Sequence, residues 1–452
     1  MARPTMPNRR REHFGDVLQL KPDLWRVPLV MCIVTILLFL LTIEVDWAAT
    51  RGQLTLPRWL SVGGPDDARA ILGAMLGAVS TVLALIFSVA LLVLSMAVSQ
   101  FGPRILYRFV QDAITQVTIG LFLATFVHTL LTFVVTRQEG TRLFVPQLTI
   151  CTGVVLVGVS FGFLVIFSHR IAMSIQLQNV VARIVGDLDD ALVDWDRERG
   201  ERADAGGRAR WGAELDSIRS RSGAEGAEIR ARRTGFIQMI DHRRLVAAAH
   251  RADAVVHLHY RPGQFVLQNA VLGRVLPATR GAELTSVIRR AVRIGTHRTL
   301  AQDLEFGVAQ LVEIALRALS PAINDSFTGL TCVDWLGDEL CAFALRGEGA
   351  GVWLGPTGQI RLVGEPLHFA RLTRAAFNQI RQAAVGNPAI SIRLLFTFSR
   401  LAEHITEPSF RDALLEQVEA VWEATVSDTL VKIDRTDVEA AYRRAREALL
   451  ER

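Results

Sequence analysis

Apolar residues are distributed unevenly along this chain. Crossing about 30 Å of hydrocarbon takes roughly 20 helical residues, and four runs are that long, near residues 25–43, 70–98, 114–135 and 146–167. Beyond His169 and Arg170 no comparable run occurs, and apolar and charged positions alternate as in amphipathic helices and short strands. The first run is longer than the roughly 7–15-residue apolar core of a cleaved leader. Glu44, Val45 and Asp46 follow it where a small-residue cleavage site would stand, so it reads as a retained helix. The pattern predicts an α-helical membrane protein: four transmembrane helices, then a cytoplasmic α+β domain with a small sheet and a mainly helical C-terminal part.

The same pattern divides the chain. Residues 1–24 form a cytoplasmic N-terminal segment, 25–172 the four-helix transmembrane domain, and 173–227 a helical stalk with a charged connection. The stretch 197–221 is dense in Arg, Glu, Asp, Gly and Ala and is given no secondary structure. Residues 228–277 read as a small α/β module, with strands at 235–240, 254–260, 265–267 and 271–275, a helix at 242–250 and a turn at Arg261-Pro262-Gly263-Gln264. Residues 278–452 form a helical cytoplasmic domain, with amphipathic stretches at 306–319, 326–343, 368–384, 389–404, 409–427 and 436–452.

Composition refines this picture. Half the residues are hydrophobic and 21% are charged, with a mean hydropathy of +0.29. That balance excludes both a wholly soluble chain and one with no soluble part. The net charge is +5, and its placement is informative. Arg3, Arg9, Arg10, Arg11, Lys21, Arg26, Arg104, Arg108, Arg170 and Arg183 flank the spans on one side, against Arg51, Arg58, Arg69, Arg137 and Arg142 on the other. The positive-inside bias places both termini in the cytoplasm. Cys32, Cys151, Cys332 and Cys341 have no metal-type spacing, so no disulfide framework and no zinc site is expected.

Several residues are candidates for chemistry. Gly73, Gly77, Ser80, Ser88 and Ser95 recur on one face of the second span, the pattern either of close helix packing or of a weakly polar solute path. The third span carries Thr118, Thr125, Thr129, Thr132 and Thr136 with His128, an ionisable group deep in an apolar run, suited to a proton relay or to a hydrogen bond between helices. In the second part, Gln302, Asp303, Glu305, Asn324 and Asp325 stand at the ends of a periodic helix. They could gather as a cation or ligand site, or Asp303 could cap this helix and Asn324 or Asp325 the next.

Four segments carry a resemblance: Ser99-Gln100-Phe101-Gly102-Pro103-Arg104 after the second span, Gly235-Phe236-Ile237-Gln238 followed by Asp241, Arg298-Thr299 with Gln302-Asp303, and Ala315 through Asp325. With these the chain resembles, over nearly its whole length, a widespread family of bacterial predicted membrane proteins classed as a domain of unknown function. The resemblance implies the four-span architecture and the cytoplasmic domain, and supplies no activity or catalytic residues. No Walker loop, metalloprotease helix, nucleophile elbow or kinase signature occurs, so an enzyme is disfavoured and no cofactor is expected. Arginines alternate with acids instead of clustering with aromatics, which excludes a nucleic-acid module. The leading expectation is a homo-oligomeric channel or transporter-like protein for ions or small solutes. The alternative is a membrane-anchored sensor or scaffold whose cytoplasmic domain binds a ligand or partner.

Overall fold

The computed structural model describes residues 25–54, 57, 62–101, 113–136, 138–139, 142–174, 177–198, 200, 205–426 and 430–451, with side chains placed for most of them. The N-terminal segment and the Gly102-Pro103-Arg104 turn lie outside the described residues. The chain forms two compact units, Met1–Asn179 and Val180–Arg452.

The first unit is built from α1 (Arg26–Thr50), α2 (Pro65–Phe101), α3 (Ala113–Val135) and α4 (Gln147–Ser174), with a short hairpin, β1 (Gln138–Glu139) and β2 (Arg142–Leu143), between α3 and α4. Among the described residues these four helices are long and apolar enough to cross a membrane. On α1, Leu29, Val30, Ile33, Val34, Leu37, Leu40 and Leu41 are exposed, the outward apolar surface a lipid-facing helix presents. α3 is the central helix, touching α1, α2 and α4. Gly120 is the close-approach point: a Cβ there would lie 2.7 Å from Met31 Sδ and 3.0 Å from Pro28 Cα of α1. Val79 and Ile86 of α2, Ile119 and Phe122 of α3 and Phe167 of α4 fill the space between the helices.

The second unit begins with α5 (Leu177–Glu198) and α6 (Ala205–Glu225). α5 is not a free stalk. Val181, Ile184, Val185, Leu188, Leu192 and Trp195 are buried at helical spacing along one face, and an apolar stripe of that length needs a partner. Trp195 packs on Phe343 with ring centroids 4.7 Å apart. α6 occupies most of the charged stretch left unassigned at 197–221, held by Trp211, Leu215 and Ile218 against Leu276, Val352, Ile360 and Val363. Among the described residues, three buried apolar side chains among many charges give little periodic signal.

Two sheets follow. The larger has the order β3 (Ala227–Arg230), β7 (Val271–Leu276), β5 (Val255–Leu258), β10 (Ile360–Val363), β9 (Val352–Leu354), antiparallel except for β5 with β10. The smaller is β6 (Phe265–Val266), β4 (Gly235–Ile240), β8 (Val292–Gly295), all antiparallel. α7 (His242–Arg251) and α8 (Gly281–Ala291) share a core with them through Leu245, Ala249, Leu284 and Ile288. The expected strands at 235–240, 254–260, 265–267 and 271–275 and the helix at 242–250 correspond to β4, β5, β6, β7 and α7. β8, β9 and β10 lie beyond residue 277, so strands of each sheet come from both sides of the boundary placed there. β8 and β10 are four residues long and pair with strands far back in the chain, β4 and β5, which leaves no local mark.

The rest is helical: α9 (Leu304–Ala318), α10 (Ser326–Arg346), α11 (Phe369–Ala383), α12 (Pro388–Ala402), α13 (Pro408–Val426) and α14 (Lys432–Leu450). Phe343, Phe369, Phe377 and Phe398 are fully buried at their centre, and Phe369 stacks on Phe410 at 4.5 Å.

Candidate functional site

The densest polar cluster lies at the start of α9. Asp303 is the helix N-cap, its Oδ1 accepting from Phe306 N at 3.2 Å. The same carboxylate takes both arms of Arg298, from Nε at 2.7 Å and Nη2 at 2.8 Å. It also lies against Gly263, whose φ of +88° and missing Cβ let the 261–264 turn close over it. Asp303 is almost fully buried. Burial pushes its carboxyl above the ordinary value, against the pull of Arg298.

Glu305, two residues on, pairs with Arg261 at 2.8 Å and Arg371 at 2.5 Å. Burial acts to raise its pKa, but the bond and charge of Arg261, then of Arg371, outweigh it and hold the carboxyl below its ordinary value. Gln302 continues the edge of β4: its Oε1 accepts from Ile240 N at 2.8 Å, and its Nε2 donates to Ile240 O at 3.0 Å and to Glu198.

Asn324 and Asp325 are elsewhere. Asp325 is the N-cap of α10, accepting from Thr328 N at 3.1 Å and from the Thr328 hydroxyl at 2.5 Å. Asn324 has φ +50°, the left-handed turn conformation that asparagine tolerates. The 15 residues of α9 separate this turn from Asp303, which at 1.5 Å per residue is about 22 Å. The structure therefore brings Gln302, Asp303 and Glu305 together and leaves Asn324 and Asp325 at the other end of the helix. Among the described residues no group of three or more His, Cys, Asp or Glu side chains is arranged to hold a metal ion. Three arginines already neutralise the two carboxylates of the first group, so a cation would have to displace guanidinium groups.

Beside this cluster lies a small cleft of about 60 Å³ lined by Glu198, His242, Arg261, Gln302, Trp353 and Glu365 among others. His242 stacks flat on Trp353, centroids 4.4 Å apart and planes 7° from parallel, and burial lowers its pKa to about 4. Trp353 Nε1 donates to Glu198 O at 2.7 Å, and burial raises the Glu198 carboxyl above its ordinary value. Gln264 donates to Glu365 at 3.0 Å and accepts from Arg261 N at 2.9 Å. Sequence reading missed Glu198, Arg261, His242, Trp353 and Arg371 as members of this group. Only Arg298, five residues before Asp303, carried a local signal.

In the first unit nothing among the described residues covers the small-residue face of α2. Gly73, Gly77, Ser80, Ser88 and Ser95 are exposed, and a Cβ at Gly73 or Gly77 would meet nothing within 4 Å. Ser80 and Ser88 donate to their own helix, at Leu76 O (2.7 Å) and Ala84 O (3.0 Å). The structure does not bring His128 to that face. It is fully buried, its Nε2 lies 3.0 Å from Thr149 O of α4, and its ring meets Phe39 of α1 edge-on at 5.9 Å. The α3 threonines line no open path either. Thr118, Thr125, Thr129, Thr132 and Thr136 are all buried; Thr125 pairs with Ser160 Oγ at 2.9 Å, and the others bond the carbonyl four residues back. Sequence reading also missed Asp46 at the end of α1. Its carboxylate caps α4, accepting from Leu148 N and Thr149 N at 3.0 Å and from the Thr149 hydroxyl at 2.8 Å.

Comparison with known proteins agrees with a membrane protein. The sequence family described as "Predicted membrane protein (DUF2254)" matches residues 21–400. The chain is 29% identical over 397 residues to a protein of Mycobacterium bovis (Uncharacterized protein Mb1321c), covering 86% of this chain and 74% of the relative. A Mycobacterium tuberculosis protein (Uncharacterized protein Rv1290c) shows the same identity and coverage. No solved structure matches.

Proposed function

The chain belongs to the DUF2254 family of predicted membrane proteins, and from that premise we propose that copies of it associate in the bilayer to form or gate a path for ions or small solutes. The observation that carries this reading is the uncovered face of α2, where Gly73, Gly77, Ser80, Ser88 and Ser95 point away from the chain's own helices. Lipid offers no hydrophobic drive for helix association, so small residues serve where two backbones must approach closely. The Ser80 and Ser88 hydroxyls donate inward to their own helix and keep acceptor lone pairs on the outward side, where a cation or water could meet them. The loop arginines orient both termini, and with them the second unit, toward the cytoplasm of a bacterial inner membrane. There that unit would act as the regulatory part. A second reading, a membrane-anchored sensor or scaffold, is favoured by the cleft over Gln302, where His242, Trp353 and Glu365 offer a small ligand one flat and several polar contacts.

Reconstitution into liposomes separates the two. The channel reading expects ion flux above that of empty vesicles, lost in Ser88→Leu. Flux equal to empty vesicles across several ions and pH values overturns it, as does a single subunit per particle in photobleaching counts.

A further inference from the structure

We infer that a second concavity of the second unit binds a small organic anion with clustered phosphates, of the nucleoside diphosphate class. It has a volume of about 500 Å³, within the roughly 300–1,000 Å³ of small-molecule sites and larger than a lone phosphate requires. Its rim carries Arg232 and Arg233, from the turn joining β3 to β4, and Arg289 and Arg290, from the last turn of α8. Its floor is apolar: Leu272, Val292 and Ile294 are at most 5% exposed.

Several arginines elsewhere in the unit are held by carboxylates. Arg230 and Arg274 share Glu228, Arg261 and Arg371 share Glu305, Arg298 holds Asp303 and Arg361 holds Asp253. Among the described residues the four rim arginines have no carboxylate partner. Arg289 Nε donates to Arg230 O at 3.2 Å and Arg290 Nη2 to Ser286 Oγ at 3.3 Å. The helix dipole accounts for arginines in the last turn of α8. It does not account for Arg232 and Arg233, which reach the same cavity from a different element. Four guanidinium groups around one concavity repel one another until an anion enters, and planar guanidinium forks match phosphate oxygens in paired hydrogen bonds. An apolar floor beneath a cationic rim suits a ligand with a flat apolar body and two or more phosphates. This inference does not depend on the channel reading.

The probe is ADP, titrated by calorimetry into the full-length protein in detergent. Saturable binding is expected, weakened at least tenfold in the variant Arg232→Gln/Arg233→Gln/Arg290→Gln and weakened by added salt. Those side chains are exposed, so the variant should melt with the wild type, and a thermal scan checks this. A water-soluble short-chain phosphatidylinositol phosphate forms the second arm. If it binds and ADP does not, the site takes a lipid headgroup and the nucleotide assignment fails. Absence of saturable ADP binding at millimolar concentration, or equal affinity in the triple variant, overturns the proposal as well.

Discussion

The carboxylate of Asp46, in the last turn of α1, accepts both the backbone N–H of Thr149 at 3.0 Å and its hydroxyl at 2.8 Å, across 103 residues of chain. The carbonyl of Thr149 in turn meets His128 Nε2 of α3 at 3.0 Å. One residue at the start of α4 thus ties three helices together. An acid is well placed there, because the first N–H groups of a helix lack partners and its dipole favours negative charge. Burial of Asp46 at 2% exposure leaves no water to replace either bond.

Replacing Asp46 with Ala should lower the stability of the full-length protein in mild detergent by about 1–3 kcal/mol, the cost of a lost cap plus buried donors without partners. Thr149→Val keeps the backbone bond and should cost less. Thermal unfolding followed by circular dichroism would show the order; equal midpoints for wild type and Asp46→Ala would refute the capping role.

Two glycines in the first unit should behave oppositely. Gly120→Leu puts a side chain into Met31 and Pro28, 2.7 and 3.0 Å from the first added carbon, and overpacking of this kind costs about 1–3 kcal/mol or more. Gly77→Leu meets nothing among the described residues, so the fold should survive while association between copies weakens. Melting curves read the first effect and cross-linking in liposomes the second. A destabilised Gly77→Leu monomer would count against an open α2 face.

Gln302→Leu removes the side chain that satisfies both backbone groups of Ile240. Leaving them unpaired should cost about 1–3 kcal/mol. Hydrogen exchange at the end of β4 should rise in this variant, and unchanged protection there would contradict the pairing.

Acid should weaken the second unit between about pH 6.5 and pH 4. Burial lowers the pKa of His242 to about 4, and burial, His259, Arg219 and Arg274 bring His257 to a similar value. The unfolded chain takes up protons as pH falls through the ordinary histidine value, while the folded chain resists until about pH 4. The stability from the neutral rings is therefore complete above about pH 6.5 and lost below it. For His242 the loss approaches about 3 kcal/mol. In His242→Phe the urea midpoint, measured from pH 7.5 down to 4.5, should depend less steeply on pH; an unchanged slope would rule out this role.

Features written in local periodicity are legible in the sequence. The four spans follow from run length alone, and α7, β4, β5, β7 and most of the C-terminal helices from spacings of two or three to four residues. The capping role of Asp303 is also readable, and that of Asp325 up to the choice between it and Asn324, since a cap sits next to the helix it caps. The joint ligand site of Gln302, Asp303, Glu305, Asn324 and Asp325 was a guess about proximity. Sequence shows that both groups flank one helix and does not show that a rigid 15-residue rod holds them apart.

What the sequence determined by itself is the chemistry that repeats locally: which segments are apolar enough for lipid, which helices have one wet face, and where turns and caps stand. Tertiary structure alone decided that Glu305 sits between Arg261 and Arg371, that Asp46 caps α4, that His128 is enclosed while the serine face of α2 is not, and that four arginines from two elements surround one cavity. The physical reason is common to all of these. A side chain's charge and size are fixed by its identity, but its energy depends on the partner facing it, and partners tens to hundreds of positions away are chosen by packing that no local pattern records.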